Sequence, residues 1–153
     1  MRSIVISDTS CLILFHKIGH LELLHKVYDN IITTPEVVNE FSELIPEWIK
    51  IEKVKDIKYQ EFLKTLIDPG EASAIALANE LENSLLLLDD LKARKLAFKL
   101  NLKFTGTLGV INKAKQLNII DAVKPLIDKI LLTDFRISET IIAELLKLNN
   151  EEE

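Results

Sequence analysis

Two short apolar runs that each end in aspartate constrain the fold of this chain more than any other feature. Leu85 to Leu88 is continuously apolar and is followed by Asp89-Asp90. Such a run is typical of a central parallel strand that is buried on both faces. Ser3 to Ser7 is a β-branched run that ends at Asp8, and it indicates a second buried strand. Together the two runs predict a parallel sheet with carboxylates at one edge.

Helical segments separate these strands from two further strand candidates, Ile31-Ile32 and Lys103 to Thr105. Two segments predict helix starts, because each has a capping side chain directly before a proline. In Thr33-Thr34-Pro35 the cap is a hydroxyl, and in Asp68-Pro69-Gly70-Glu71 it is a carboxylate. Strands that alternate with helices predict an α/β fold. In such folds a ligand site lies outside the carboxyl ends of the strands.

The helix predicted after Pro35 is expected to continue until Pro46. Glu36, Glu40 and Glu43 share one face of it, because residues three and four apart are neighbours on a helix. Its apolar residues are expected to point into the core: Val37, Val38, Phe41, Leu44 and Ile45.

Length and composition favour one ordered domain. A chain of 153 residues is of single-domain size, and we place the domain at residues 1–148, with a disordered acidic tail at 149–153. The longest apolar runs are much shorter than a membrane span, and no basic stretch precedes an apolar one at the start, so we expect a cytoplasmic protein. The single cysteine, Cys11, cannot form an internal disulfide and is interpreted as a small core residue.

The net charge of −5 argues against simple electrostatic binding of nucleic acid, which usually needs a basic surface. Bound divalent cations would change that, because such ions are often the largest local charges in a site. The three acids at strand ends, Asp8, Asp89 and Asp90, offer the hard oxygen ligands that suit Mg²⁺ or Mn²⁺. Hydrolysis of a phosphodiester is the chemistry that this combination favours.

Each acid also has a structural interpretation. Asp8 is well suited to cap the helix that follows it, and Glu40 could be an ordinary solvated helix residue. Glu71 lies in a first helical turn, where the helix dipole favours a negative charge. Asp89-Asp90 is a common helix start. At this stage both interpretations stay open.

An ordered set of motifs resembles the PIN-domain family, and the likeness covers nearly the whole chain. It is similar above all to small prokaryotic members, the VapC-like toxin ribonucleases, and to a subgroup of uncharacterised PIN-like nucleic acid-binding proteins. The motifs, in chain order, are Asp8-Thr9-Ser10 with Leu12-Ile13, Pro35-Glu36-Val37-Val38 with Glu40, Gly70-Glu71-Ala72 with Ala74 to Ala78, Leu88-Asp89-Asp90 with Ala93-Arg94, and Thr105 to Val110 with Ala114-Lys115.

The resemblance implies a three-layer α/β/α sandwich with a short, mostly parallel central sheet. It also implies a metal-dependent endoribonuclease, with Mg²⁺ or Mn²⁺ held by a group of acids that serve as both catalytic and metal-binding residues. By order and context these acids are Asp8, Glu40, Glu71 and the pair Asp89/Asp90, in which the ligand is not identified. Glu71 departs from the Asp that many members carry, and Leu88 replaces a polar residue common before the last acid.

Four more residues are implied for binding of the RNA substrate: Ser10, Arg94, Thr105 and Thr107. The two threonines flank Gly106 at a helix start, where N–H groups and hydroxyls can hold a phosphate, although a simple helix cap is the alternative. Arg94 could contact the RNA backbone or pair with Asp90 four residues before it.

The partners implied by the resemblance are RNA, a small cognate antitoxin protein and a second copy of the chain in a homodimer. The chain would then be the toxin of a type II toxin–antitoxin pair. The alternative is a catalytically weak or inactive PIN-like module that binds RNA or protein. A phosphatase with Asp8 as nucleophile is disfavoured, because Ser10 stands where that mechanism needs a second acid. The three histidines have no supporting ligands and are interpreted as surface or packing residues.

Overall fold

A computed structural model describes residues 4–152 of the chain. Its strands are β1 Ile4–Ser7, β2 Ile31–Thr33, β3 Ile49–Ile51, β4 Ser84–Leu87 and β5 Lys103–Thr105. The helices in this range are α1 Thr9–Lys17, α2 Glu22–Val27, α3 Pro35–Phe41, α4 Ile57–Leu63, α5 Pro69–Glu80, α6 Leu91–Lys99, α7 Thr107–Gln116, α8 Lys124–Leu131 and α9 Glu139–Leu148. Ser3, which begins the first predicted strand, lies outside the described residues.

The strands form one parallel sheet in the order β3-β2-β1-β4-β5. Strand β1 is central, and its register with β4 pairs Ile4 with Ser84 and Ser7 with Leu87. The chain passes from β1 to β2 on one side, whereas β4 and β5 lie on the other side. The carboxyl ends of β1 and β4 therefore flank the point where the strand order reverses, which is where open α/β sheets bind ligands.

Alternate strand residues point to opposite faces of the sheet, as the period of two requires. Val5 and Leu87 pack into a core beneath α1, α2, α7, α8 and α9. Ile6 and Leu86 pack into a second core beneath α4, α5 and α6. The α5 helix fits closely because most of its buried positions are alanine, glycine or serine. The expected three-layer α/β/α sandwich is confirmed.

The prediction that α3 continues to Pro46 was wrong. The helix ends at Phe41, and Ser42 follows in the left-handed conformation with φ of 61°. The backbone turns away there, so Leu44 is 95% exposed instead of buried in the core. Val37 and Phe41 do point inward as expected.

The C-terminal segment also differs from the expectation of a disordered tail after residue 148. The Glu151 carboxylate accepts hydrogen bonds from the backbone N–H groups of Val123 and Lys124, at 2.9 and 3.0 Å. The Asn149 side chain donates to Asn112 at 2.9 Å. Glu151 thus caps the start of α8, where the helix dipole favours a negative charge, and residues 149–151 are attached to the domain.

The helices are short. The longest in the described range, α5, has 12 residues, whereas a membrane span needs about 20. Within residues 4–152, no helix has both the length and the apolar character to cross a bilayer.

Candidate active site at the carboxyl ends of β1 and β4

The carboxyl ends of the two central strands bring the predicted acids into one region. Asp8 follows β1 directly, and its backbone N–H donates to the carbonyl of Leu87 at 3.3 Å. Asp89 and Asp90 lie just beyond β4 and lead into α6. Glu71 and Glu40 approach from the first turn of α5 and the last turn of α3.

Asp8 is the most deeply buried acid, with no exposed surface. Its Oδ1 accepts the N–H of Cys11 at 3.0 Å and so caps α1. Its other oxygen, Oδ2, is buried and has no hydrogen-bond partner. Burial raises the pKa of Asp8 to about 7, and the charges of Asp89 and Glu71 act in the same direction. The capping interpretation is correct for one oxygen and leaves the second unexplained.

Asp89 is held by three hydrogen bonds from other elements. Thr107 at the start of α7 donates its backbone N–H to Oδ1 at 2.9 Å and its hydroxyl to Oδ2 at 2.6 Å. The thiol of Cys11 donates to the same Oδ2 at 3.2 Å. Burial and the charges of Asp8 and Asp89 raise the pKa of Cys11, so the thiol keeps its proton and remains a donor.

Asp90 has a different environment from its neighbour. It is exposed, and its Oδ2 accepts the N–H of Ala93 at 2.9 Å, which caps α6. Its charge acts mainly on Glu71, whereas Asp89 acts on Asp8. The two adjacent aspartates therefore face different halves of the site.

Glu71 is only 7% exposed although it lies in a first helical turn. Burial raises its pKa to about 7, and the charges of Asp90 and Asp68 add to that effect. Glu40 is more exposed, and its pKa is raised by partial burial and then by Asp68. Its carboxylate lies against Gly70, where a Cβ atom would collide with it.

Two contributors to this region were not recognised in the sequence as site residues. Asp68 was interpreted only as a helix start, yet its charge raises the pKa of both Glu40 and Glu71. Cys11 was interpreted as a core residue, and it is buried, but it also donates to Asp89. The Asp-Pro-Gly-Glu order was a usable signal for Asp68. No local signal existed for Cys11, since its partner is 78 residues away.

The four residues expected to bind substrate have different positions. Thr107 is fully buried, and its hydroxyl donates to Asp89. Thr105 is half-buried, with its hydroxyl directed at Gly109 in α7. Ser10 is exposed on α1. Arg94 donates through Nε to the carbonyl of Leu88 at 2.6 Å and does not form the ion pair with Asp90 that was one of its two interpretations.

The histidines make packing contacts as expected. The ring of His16 meets Phe41 edge-on, and His25 stacks on Trp48 with ring centroids 4.9 Å apart. His20 is hydrogen-bonded to Lys129 at 2.9 Å.

The carboxylates have the right chemistry to bind a divalent cation, but in this structure they are not arranged around a common point. The buried, unpartnered Oδ2 of Asp8 is the kind of oxygen that a cation would satisfy, and all the nearby acids are hard oxygen donors. Within residues 4–152, however, no three acidic, histidine or cysteine side chains are close enough together to form a ready metal site. Binding would require the exposed acids, Glu40 and Asp90, to move toward the buried ones.

Comparison with known proteins identifies the family. The sequence model of a family described as a PIN domain matches residues 4–151. No curated protein matches the chain closely enough to count as a relative. The chain therefore belongs to the PIN-domain family, whose members are generally nucleases that act on nucleic acid with divalent metals.

Proposed function

We propose that this protein is a metal-dependent endoribonuclease. The observation that supports the proposal most strongly is the buried Oδ2 of Asp8, which has no hydrogen-bond partner and lies among acids. An ionised carboxylate in such a position is costly unless a cation joins it to its neighbours. Membership in the PIN-domain family supports nuclease chemistry at the same place.

In this proposal Asp8 and Asp89 would hold Mg²⁺ or Mn²⁺ from the sheet, and Glu40, Glu71 and Asp90 would complete the group. The metal would activate a water and stabilise the negative charge that develops on the phosphodiester. Thr107 and Cys11 keep Asp89 oriented by donating to its oxygens. Hydrogen bonds of this kind to metal ligands contribute to affinity in other sites.

Cleavage of a circular single-stranded RNA tests the endonuclease assignment, because a circle offers no ends to an exonuclease. We expect linear products with Mn²⁺ and none with EDTA, and we expect Asp8→Asn and Asp89→Asn to abolish them. Asp121→Asn is the matched control, since Asp121 is exposed beyond the opposite end of α7. A native protein that leaves the circle intact, or variants as active as the control, would contradict the proposal.

A second candidate is a PIN-like module with weak or lost catalysis that binds RNA or protein. The absence of a ready three-ligand group within residues 4–152 favours it. Calorimetric titration with Mn²⁺ separates the two candidates. Saturable binding that Asp8→Asn removes supports the nuclease, whereas no binding by the native chain supports the module.

A more specific proposal is that this nuclease is the toxin of a type II toxin–antitoxin pair. It would then have a small antitoxin partner, form a homodimer and be located in the cytoplasm. This proposal is supported by the resemblance in sequence alone. Expression in bacteria tests it: the native chain should arrest growth, and Asp8→Asn should not. Normal growth with soluble native protein would contradict the toxin assignment and leave the nuclease proposal intact.

A further inference from the structure

A basic and aromatic surface lies beside the acidic site, on α6 and the neighbouring edge strand β5. Residues 91 to 103 contain five basic residues and no acidic one, although the chain has a net charge of −5. Among the described residues, none of the lysines in this segment takes part in an ion pair. We call this surface the α6–β5 patch, and it is formed by Leu91, Arg94, Lys95, Phe98, Lys99 and Phe104.

The patch is a shallow groove with an apolar floor and a cationic rim. Leu91, Arg94, Lys95 and Phe98 recur at spacings of three and four, which places them on one face of α6. Phe98 is 75% exposed and Leu91 is 67% exposed. The groove has a volume of about 350 Å³. Large apolar side chains that stay exposed between cations are typical of a surface that binds a partner.

Arg94 connects this patch to the carboxylates. Its guanidinium lies over the ring of Phe104, with Cζ 5.4 Å from the ring centroid. Its Nη2 and the Oδ1 of Asp89 both lie against Gly106, and its Nε donates to the residue that precedes Asp89. Since α6 begins directly after Asp90 and has nine residues, the part of the patch on α6 lies within about 14 Å of that acid along the helix.

We propose that the α6–β5 patch binds an unpaired segment of the nucleic acid substrate, with a base stacked on Phe98 and phosphates on Lys95 and Lys99. This inference rests on the proposed nuclease function and adds the surface, with Phe98 at its centre, that would bind the strand. Exposed aromatic rings bind unpaired bases by stacking, and surrounding cations follow the backbone. Bases inside a duplex are already stacked and cannot reach the ring. The patch also supplies positive charge beside the acidic site of a chain whose net charge is negative.

An acidic peptide with apolar side chains has similar chemistry and is the competing occupant. Continuity with the acidic site favours the nucleic acid. A strand whose phosphate lies at the carboxylates must leave the site in some direction, and the positive surface that begins at Arg94 favours that path.

The test measures binding without cleavage, so that it does not depend on the nuclease proposal. All variants are made in the Asp8→Asn background and assayed in EDTA, with a fluorescently labelled single-stranded oligouridine as the probe. We expect Phe98→Ala to weaken binding about five-fold or more, from the stacking contribution of one base. Phe62→Ala is the matched control, because Phe62 is 59% exposed on α4.

Two further binding experiments show whether the patch contacts phosphates and unpaired bases. The double variant Lys95→Ala/Lys99→Ala should weaken binding and reduce its salt dependence, whereas Lys58→Ala on α4 should not. With a blunt RNA duplex as probe, Phe98→Ala should have no effect. Because Phe98 is exposed, circular dichroism should show that its alanine variant is folded.

Equal affinities of Phe98→Ala and Phe62→Ala for the oligouridine would overturn the proposal. So would a labelled Glu-Leu repeat peptide that binds in a Phe98-dependent manner while oligouridine does not, since the patch would then be a protein-docking surface. If oligouridine binds as expected but the native protein cleaves no RNA, the nuclease proposal fails, and the patch is a binding surface for an unpaired strand that is not a substrate.

Discussion

The candidate site has two halves that are built differently. The inner half, Asp8 and Asp89, is buried or half-buried at the ends of β1 and β4, and hydrogen bonds from α1 and α7 fix it. The outer half, Glu40, Asp68 and Asp90, is exposed on helices or helix starts. Glu71 lies between them, because it is buried yet its pKa responds to the outer acids.

This comparison shows that the inner half is preorganised and the outer half is adaptable. The inner carboxylates cannot move without breaking hydrogen bonds to other elements. The outer ones can rotate in solvent at little cost. Asp8 and Asp89 would therefore offer a divalent cation oxygens that are already in position, whereas the exposed acids are free to rotate.

Removal of the Asp8 charge from the inner half should have the largest effect on cleavage. We expect Asp8→Asn to reduce Mn²⁺-dependent cleavage by more than about 100-fold, since second-shell changes alone cost about 10- to 100-fold. In metal-free buffer at neutral pH the same variant should be more stable than the native protein by up to about 4 kcal/mol, because the raised pKa makes ionisation of the buried carboxyl costly to the folded state. Urea unfolding and a cleavage assay check both outcomes.

The informative result is that Asp8→Asn should lower the cleavage activity but raise the stability of the metal-free protein. Asn can still accept the Cys11 N–H through its amide oxygen, so the cap on α1 is kept. If Asp8→Asn lowered both activity and metal-free stability, the view of Asp8 as an unsatisfied charge would be wrong.

A methyl group at Gly106 should affect the inner half strongly. The Cβ of Gly106→Ala would lie 2.5 Å from Asp89 Oδ1 and would also collide with Arg94. Because three hydrogen bonds hold Asp89, it cannot move away cheaply, and we expect activity to fall about 10- to 100-fold.

Gly70→Ala is the corresponding change in the outer half, where the Cβ would meet the hydroxyl of Thr9 at 2.7 Å and, closer still, the end of the exposed Glu40 side chain. That exposed side chain can rotate, so we expect a smaller loss of cleavage than for Gly106→Ala. Equal losses in the two variants would mean that the two halves are equally rigid.

The stability of the metal-free protein should fall as the pH rises from about 4 to about 7. The pKa values of Asp8 and Glu71 are about 7 in the folded state, above their ordinary values of 3.8 and 4.5. The folded state therefore binds more protons in this window, and raising the pH favours unfolding. Urea unfolding in EDTA across the window measures the effect.

The double variant Asp8→Asn/Glu71→Gln isolates these two groups from the other acids. The difference in unfolding free energy between it and the native protein should grow with pH through the window. A difference that stays constant with pH would show that neither carboxyl has a raised pKa.

Asp68→Asn should have the smallest effect. Asp68 is exposed, and solvent screens its action on Glu40 and Glu71, so we expect cleavage to change by less than about five-fold. The pH optimum should move slightly to lower pH, because a negative charge that raises the pKa of both glutamates is removed. A loss as large as that of Asp8→Asn would place Asp68 in the inner half.

Local patterns in the sequence predicted β1, β2, β4 and β5 and the edge of the sheet at which the acids meet. Leu85 to Leu88 and the run before Asp8 could be interpreted because parallel strands must be apolar on both faces. Their carboxyl ends align in a parallel sheet, so the acids that follow them are neighbours wherever the helices lie. The start of α5 at Asp68-Pro69 was equally local, since capping and proline chemistry depend on adjacent residues.

The burial and the hydrogen-bond partners of each acid follow instead from how the helices and strands pack together. The hydrogen bonds from Cys11 and Thr107 to Asp89 join residues 78 and 18 positions apart. The lack of a partner for Oδ2 of Asp8 depends on the same packing. The early end of α3 was missed because the apolar spacing continued to Ile45 while the backbone turned at Ser42. Burial, desolvation and hydrogen-bond partners depend on packing between elements, and no local pattern in the sequence encodes them.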